Sequence, residues 1–213
     1  MYALNNQLRL YLVTDSQSCT TPNLITTVRL AVANGVTMVQ LREKTATTAQ
    51  RVQMALALKQ TLAGTGVPLV VNDDVAAAVA ADVDGAHIGQ GDISAAQARA
   101  LLGPDKILGL SCETAQAVQT VDPALVDYLG LGPVFGTATK TDHAQPIGFD
   151  GLARLVALSP LPNVAIGGLK AMHVRDVRAS GADGMAVVSA ICGQADTAAA
   201  VCAFSALKTE ETL

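Results

Sequence analysis

The sequence predicts a single (β/α)8 TIM barrel, and three observations carry that prediction. Short β-rich runs alternate with helix-forming segments from end to end, and eight of each can be counted along the 213 residues. Half of the residues are hydrophobic but only 3% are aromatic, with no Trp, so the core must be built from Ala, Val, Leu and Ile. Small and branched side chains of that kind suit helices laid on a parallel sheet. A strict strand-helix cadence with Gly-rich turns favours parallel β/α units, and eight such units close naturally into a barrel. A doubly wound open sheet is the competing architecture, which strand counting leaves open. One domain over residues 1–213 is expected, because no long polar linker, low-complexity tract or repeat beyond the β/α rhythm interrupts the chain. A single fold of this length buries roughly 70% of its unfolded surface.

The predicted strands are "LRLYLVTD" from Leu8, "MVQLRE" from Met38, "PLVVND" from Pro68, "GAHIGQ" from Gly85, "ILGLSC" from Ile107, "DYLGLGPV" from Asp127, "NVAIGG" from Asn163 and "GMAVVSA" from Gly184. Helical stretches with start or stop signals fill the gaps, beginning with "TPNLITTVRLAVANG" and its closing Gly35 and ending with "QADTAAAVCAFSALKT". The longest predicted loop runs from about Gly132 to Gly148, a length that inside a compact domain is usually functional.

Composition also excludes several classes. A formal charge of -4 argues against a broad basic surface for nucleic acid, so any anion site must be local. Cys19, Cys112, Cys192 and Cys202 form no C-x-x-C pair and no metal-type spacing with His87, His143 or His173, which predicts reduced thiols of a cytoplasmic protein. No basic, apolar, small-residue leader opens the chain, and no apolar run approaches the roughly 20 residues of a membrane helix. The chain is therefore expected to be soluble, with small-molecule partners. The composition leaves room for a homo-oligomer.

In the run "MVQLREK", alternation puts Gln40, Arg42 and Lys44 on one face and Val39 and Leu41 on the other. In a barrel, Val39 and Leu41 would pack outward on helices while the polar alternates line the mouth, where catalytic groups gather at strand ends. The other strand ends offer Asn72, Asp73 and Asp74; Gln90 and Asp92; Ser111; Thr137, Thr139 and Lys140; Gly167 and Gly168; and Ser189. This mixture suits a phosphate-bearing ligand together with a divalent metal. Asp73 and Asp92 supply hard oxygen ligands, while Arg42, Lys44 and Lys140 neutralise phosphate oxygens. Like charges left unpaired in one mouth would cost about 4 kcal/mol per close pair at an intermediate dielectric, so a counter-ion is expected. Backbone amides around Gly167, Gly168 and Val188–Ser189 stand where barrels commonly cradle phosphate.

Other motifs carry less. "GLSCE" lacks the final Gly of a nucleophile elbow, which speaks against Ser111 as a hydrolase nucleophile. "GLGPVFG" lacks the dinucleotide spacing, and there is no G-x-x-x-x-G-K-[ST]. Cys112 should face away from Ser111 as a buried thiol. His173 reads as a surface helix residue, Asp74 as a helix cap, and His87 as an interior residue of undecided role.

Taken together and in this order, "YLVTD", "QLREK", "VVNDD", "GAHIGQGD", "GLSC", "LGPVFGTATK", "AIGGL" and "GADGMAVVSAI" resemble the thiamine-phosphate synthase family over nearly the whole chain. The resemblance implies a Mg2+-dependent transferase that joins 4-amino-5-hydroxymethyl-2-methylpyrimidine diphosphate to a thiazole phosphate, releasing diphosphate. It further implies that Gln40, Arg42 and Lys44 hold the pyrimidine diphosphate with Asn72 beside them, and that Asp73 and Asp92 bind magnesium. Ser111 and Lys140 would contact the diphosphate, and Thr137, Thr139, Gly168, Val188 and Ser189 the thiazole phosphate. Gly136 departs from a position that is often proline in the family, which implies a looser loop. His143 and Gln145 are given no role.

Three other readings compete. A thiazole tautomerase is a related barrel, but there a histidine follows the sixth-strand glycine, where Pro133 follows Gly132 here, and the metal carboxylates are not retained. A non-catalytic phosphate-binding barrel would need the anion groups without the metal pair. A sugar-phosphate isomerase or epimerase would want a positioned acid–base pair.

Overall fold

A computed structural model describes residues 2–136 and 145–205. Eight parallel strands close into a barrel in sequence order: β1 (Leu10–Val13), β2 (Met38–Leu41), β3 (Leu69–Asn72), β4 (Gly85–Ile88), β5 (Ile107–Cys112), β6 (Tyr128–Leu131), β7 (Asn163–Ala165) and β8 (Gly184–Val187). The doubly wound alternative is thereby excluded. Strands β1 and β8 pair in parallel register, Tyr11 opposite Ala186, which leaves no sheet edge.

An N-terminal helix α1 (Tyr2–Leu8) precedes the barrel. This corrects the expected first strand, which was placed from Leu8. Leu4 and Leu8, one helical turn apart, turn to the same side, and Leu8 is fully buried with Tyr11, Met38 and Val164 inside the barrel. The first strand begins only at Leu10.

Each strand is followed by a helix: α2 (Leu24–Ala33), α3 (Thr48–Leu62), α4 (Val75–Ala80), α5 (Ala95–Leu102), α6 (Ala115–Gln119), α7 (Gly148–Leu158), α8 (Val174–Ala179) after a short 3-10 turn (Ala171–His173), and α9 (Thr197–Cys202). Side-chain caps set where most of them start. Asn23 accepts from the Thr26 amide, and Thr47 with Gln50 and Ser94 with Gln97 form reciprocal capping boxes. Asp74, Thr114 and Asp196 cap α4, α6 and α9.

The pleat sorts each strand into two faces. Outward residues such as Leu12, Val39, Leu41, Val71, Ile88, Leu108, Leu129 and Met185 join the large core beneath the helices. Inward residues Tyr11, Val13, Met38, Val70, Tyr128, Val164 and Ala186 fill the lumen together with buried Gln40 and His87. Cys112 faces outward and is buried, as its alternation with Ser111 requires. All four cysteines are free thiols, and Cys19 and Cys192 come close enough for their thiols to interact, which sequence spacing did not reveal.

Candidate active site

At the C-terminal end of the strands the lumen opens into a cavity of about 590 Å³. Gln40, Arg42, Lys44, Asn72, Asp73, Asp92, Ser111, Gly168, Val188 and Ser189 all line it, so ten residues singled out from six separate segments meet in one place. Thr137, Thr139 and Lys140 lie outside the described residues, as does His143.

The β2 end is built as the alternation suggests, with one refinement. Gln40 is inside the barrel and only 4% exposed, but the strand stops at Leu41, so Arg42 and Lys44 leave from the following turn. That turn is held from below. Arg42 donates its amide to the Thr14 hydroxyl at 3.1 Å, and Arg51 on α3 reaches the Glu43 carbonyl through both Nε (3.0 Å) and Nη2 (2.7 Å). Arg51 also pairs with Asp74 at 3.0 Å. Asp74 thus serves as helix cap and ion-pair partner, which keeps it out of the cavity wall.

Asp73 occupies the corner between β3 and α4 with φ 63°, a left-handed conformation that Asp tolerates better than most residues. The corner is fixed by its amide, which donates to the His87 carbonyl at 2.8 Å. Its carboxyl shares a hydrogen bond with that of Asp92, whose Oδ2 also accepts from the Gly89 amide at 2.7 Å. Desolvation by the cavity wall, followed by the hydrogen bond and repulsion of Asp92, pushes Asp73 up to about 6, against the opposing pull of Arg42. Two carboxylates that resist joint ionisation form a site that a divalent cation relieves. Among the described residues no cluster of three or more His, Cys, Asp or Glu could hold a metal. A pair of hard oxygens still suits Mg2+, which takes one or two carboxylates and fills its remaining positions with water and phosphate oxygens.

On the opposite wall, Gly167 and Gly168 have φ values of 103° and 63°, which only glycine adopts readily. A Cβ on Gly168 would press into Phe135 and the Gly136 carbonyl at 2.8 Å, so the β6 and β7 loops close on each other here. Phe135 stacks edge-on against Phe149 at 5.2 Å and lies 5.0 Å from the His173 ring. His173 is therefore half-buried in an aromatic cluster within the 3-10 turn, a correction to the expected surface helix residue.

The lumen floor holds groups that sequence reasoning missed or left undecided. Gln40 Nε2 donates to the Tyr11 hydroxyl at 2.7 Å, Tyr11 meets Tyr128 at 2.8 Å, and His87 Nδ1 lies 2.9 Å from Tyr128. His87 Nε2 then lies 2.9 Å from Ser111 Oγ. Gly109, between β4 and β6, makes the space, because a Cβ there would collide with both the Tyr128 ring and His87. Tyr11 and Tyr128 are given no role in the sequence reading. The available signal was at Tyr128, which stands close to the glycines of "DYLGLG" on a strand expected to end at the polar mouth.

A family model described as thiamine monophosphate synthase matches residues 10–191. The chain belongs to that family. A thiamine monophosphate synthase family relative from Psychrobacter sp. (strain PRwf-1), named thiamine-phosphate synthase, is 54% identical over 192 residues, covering 89% of this chain and 90% of the relative. One of the same name from Vibrio parahaemolyticus is 48% identical over 187 residues, covering 88% and 91%. The solved thiamine phosphate pyrophosphorylase of Pyrococcus furiosus superposes with a TM-score of 0.86 at 32% identity, covering 96% of each chain. Among the described residues of this family member, no helix is long and apolar enough to cross a membrane.

Proposed function

We propose that the chain is a thiamine-phosphate synthase that condenses 4-amino-5-hydroxymethyl-2-methylpyrimidine diphosphate with a thiazole phosphate, giving thiamine phosphate and diphosphate. The observation that carries this reading is the meeting of Arg42 and Lys44 with the Asp73–Asp92 pair in one cavity. Family membership and the names of the relatives support it.

In this reading Arg42 and Lys44 bind the diphosphate, with Asn72 beside them, and Gln40 orients the pyrimidine. Asp73 and Asp92 hold Mg2+, which when bound supplies Lewis-acid stabilisation of the departing oxygens worth several kcal/mol. The methylene–oxygen bond breaks with its electron pair leaving on the diphosphate, and the thiazole ring nitrogen forms the new carbon–nitrogen bond with its lone pair. No protein nucleophile is needed, and little base. What the chain supplies is charge held in advance where the leaving group develops it. Ser111 and Lys140 contact that group, and Thr137, Thr139, Gly168, Val188 and Ser189 hold the thiazole phosphate beside the reacting carbon. Three buried free thiols support a cytoplasmic setting.

Incubating the protein with both substrates and Mg2+ tests the reading. Thiamine phosphate and diphosphate should appear in equal amounts, neither forming when one substrate is omitted. Isomerisation of the thiazole without condensation would instead indicate a tautomerase, and saturable binding without turnover a phosphate-binding barrel.

A further inference from the structure

The hydrogen-bond chain across the lumen floor has a property that none of its members has alone. A hydroxyl that accepts one bond passes on its own proton, and a neutral imidazole donates from one nitrogen while accepting at the other. Polarity at one end therefore dictates polarity at the other. Burial raises the pKa of both Tyr11 and Tyr128 well above the ordinary tyrosine value, so each keeps the proton it must hand on.

Two arrangements satisfy every link. In one, Gln40 donates its amide N–H to Tyr11, Tyr11 donates to Tyr128, and Tyr128 donates to His87 Nδ1. His87 then donates from Nε2 to Ser111, whose own proton points into the cavity, while the Gln40 carbonyl is the end of the amide left for the ligand. In the other arrangement the Gln40 amide is turned over and every donor becomes an acceptor. Ser111 then offers the cavity a lone pair, and Gln40 offers N–H.

We propose that Tyr11, Tyr128 and His87 are positioning residues that couple Ser111 to Gln40, so that an anion accepted at Ser111 fixes Gln40 as an acceptor and selects an amino over an oxo group on the substrate ring. The inference rests on the reading above, in which the leaving diphosphate meets Ser111 and the ring meets Gln40. Phosphate oxygens only accept, so Ser111 must donate to them, and the first arrangement follows link by link. An amino group on the ring then finds the Gln40 carbonyl. An oxo group in its place would face that carbonyl, and turning Gln40 to suit it would break the chain or withdraw the Ser111 proton. Sites built to pair a specific donor reject an analogue that lacks it by large factors, because buried polar groups are left unpaired.

Two measurements test this. Nitrogen NMR of the 15N-histidine-labelled protein, with His87 assigned by comparison with the His143→Gln and His173→Gln variants, reads the tautomer in the presence of Mg2+ and inorganic diphosphate. The chain requires the Nε2–H form. An Nδ1–H form or an imidazolium under those conditions overturns it. The second measurement compares kcat/KM for diphosphate release between the amino pyrimidine and its oxo analogue. Tyr11→Phe and Tyr128→Phe each free Gln40 to rotate and should lower the preference for the amino compound about tenfold or more, mainly by improving use of the analogue. A preference unchanged in both variants overturns the proposal. Should the wild-type protein release no diphosphate from either compound, the reaction itself would fall, and the tautomer measurement alone would decide the chain.

Discussion

Asp73, held in a left-handed corner after β3, shares a carboxyl–carboxyl hydrogen bond with Asp92 from the loop after β4. Two acidic groups from different β/α units are thus brought together at the rim of a cavity that also contains Arg42 and Lys44. A fold optimised for stability alone would separate them. Their proximity makes sense when a divalent cation and a polyanion complete the charge balance.

The Asp73 carboxyl has a folded-state value of about 6 against an ordinary 3.8. Between those pH values the native state keeps a proton that the unfolded chain has released, so stability falls as pH rises through the window and levels off above it. Asp73→Asn has no such titration. In EDTA the variant should gain in Tm relative to wild type from pH 4 to 6, and Mg2+ should shrink that gain, as differential scanning fluorimetry at stepped pH would read. A Tm difference independent of pH would refute the assignment.

Removing either carboxylate should remove the metal. Asp73→Ala and Asp92→Ala are each expected to lower Mg2+-dependent turnover by at least about a hundredfold. A Mg2+ titration of initial rates checks this. Rates that match wild type would contradict the metal role and favour a non-catalytic anion site.

The cations make a different prediction. Arg42→Ala and Lys44→Ala should each cost about 2 kcal/mol or more in kcat/KM for the pyrimidine diphosphate, because each removes a charge from a partly desolvated polyanion site. Kinetics in the thiazole phosphate, which is proposed to bind the opposite wall, should be affected far less. Steady-state kinetics varying one substrate at a time separates the two.

Gly109→Ala tests the lumen packing. An added methyl meets both His87 and Tyr128 and should destabilise the barrel by about 1–3 kcal/mol, the usual cost of overpacking. Gly91→Ala, whose Cβ meets nothing within 4 Å, is the matched control in urea unfolding.

Much of this architecture is legible in the sequence, for reasons specific to particular residues. The alternation of Val39 and Leu41 with Gln40 identifies a strand with one apolar and one polar face, which the β/α cadence turns toward helices and lumen, and Asp74 before Val75–Ala80 identifies a capped helix. Helix α1 is missed because "LRLYLV" reads as one β-rich run, whereas the 3.6-residue spacing of Leu4 and Leu8 begins outside it. The floor of the site is missed for another reason. Tyr11 and Tyr128 are 117 residues apart, and only barrel closure brings their hydroxyls to 2.8 Å. The same holds for Cys19 and Cys192, on loops that follow the first and last strands, and for Arg51, whose grip on the Glu43 carbonyl depends on how α3 lies over the β2 turn.

The most direct measurement is a crystal structure of the protein with thiamine phosphate, diphosphate and Mn2+ in place of Mg2+. An anomalous peak bound by Asp73 and Asp92 is expected, with the diphosphate touching both the ion and Arg42 and Lys44. An ion bound elsewhere, or a diphosphate seated away from those two cations, would contradict these assignments.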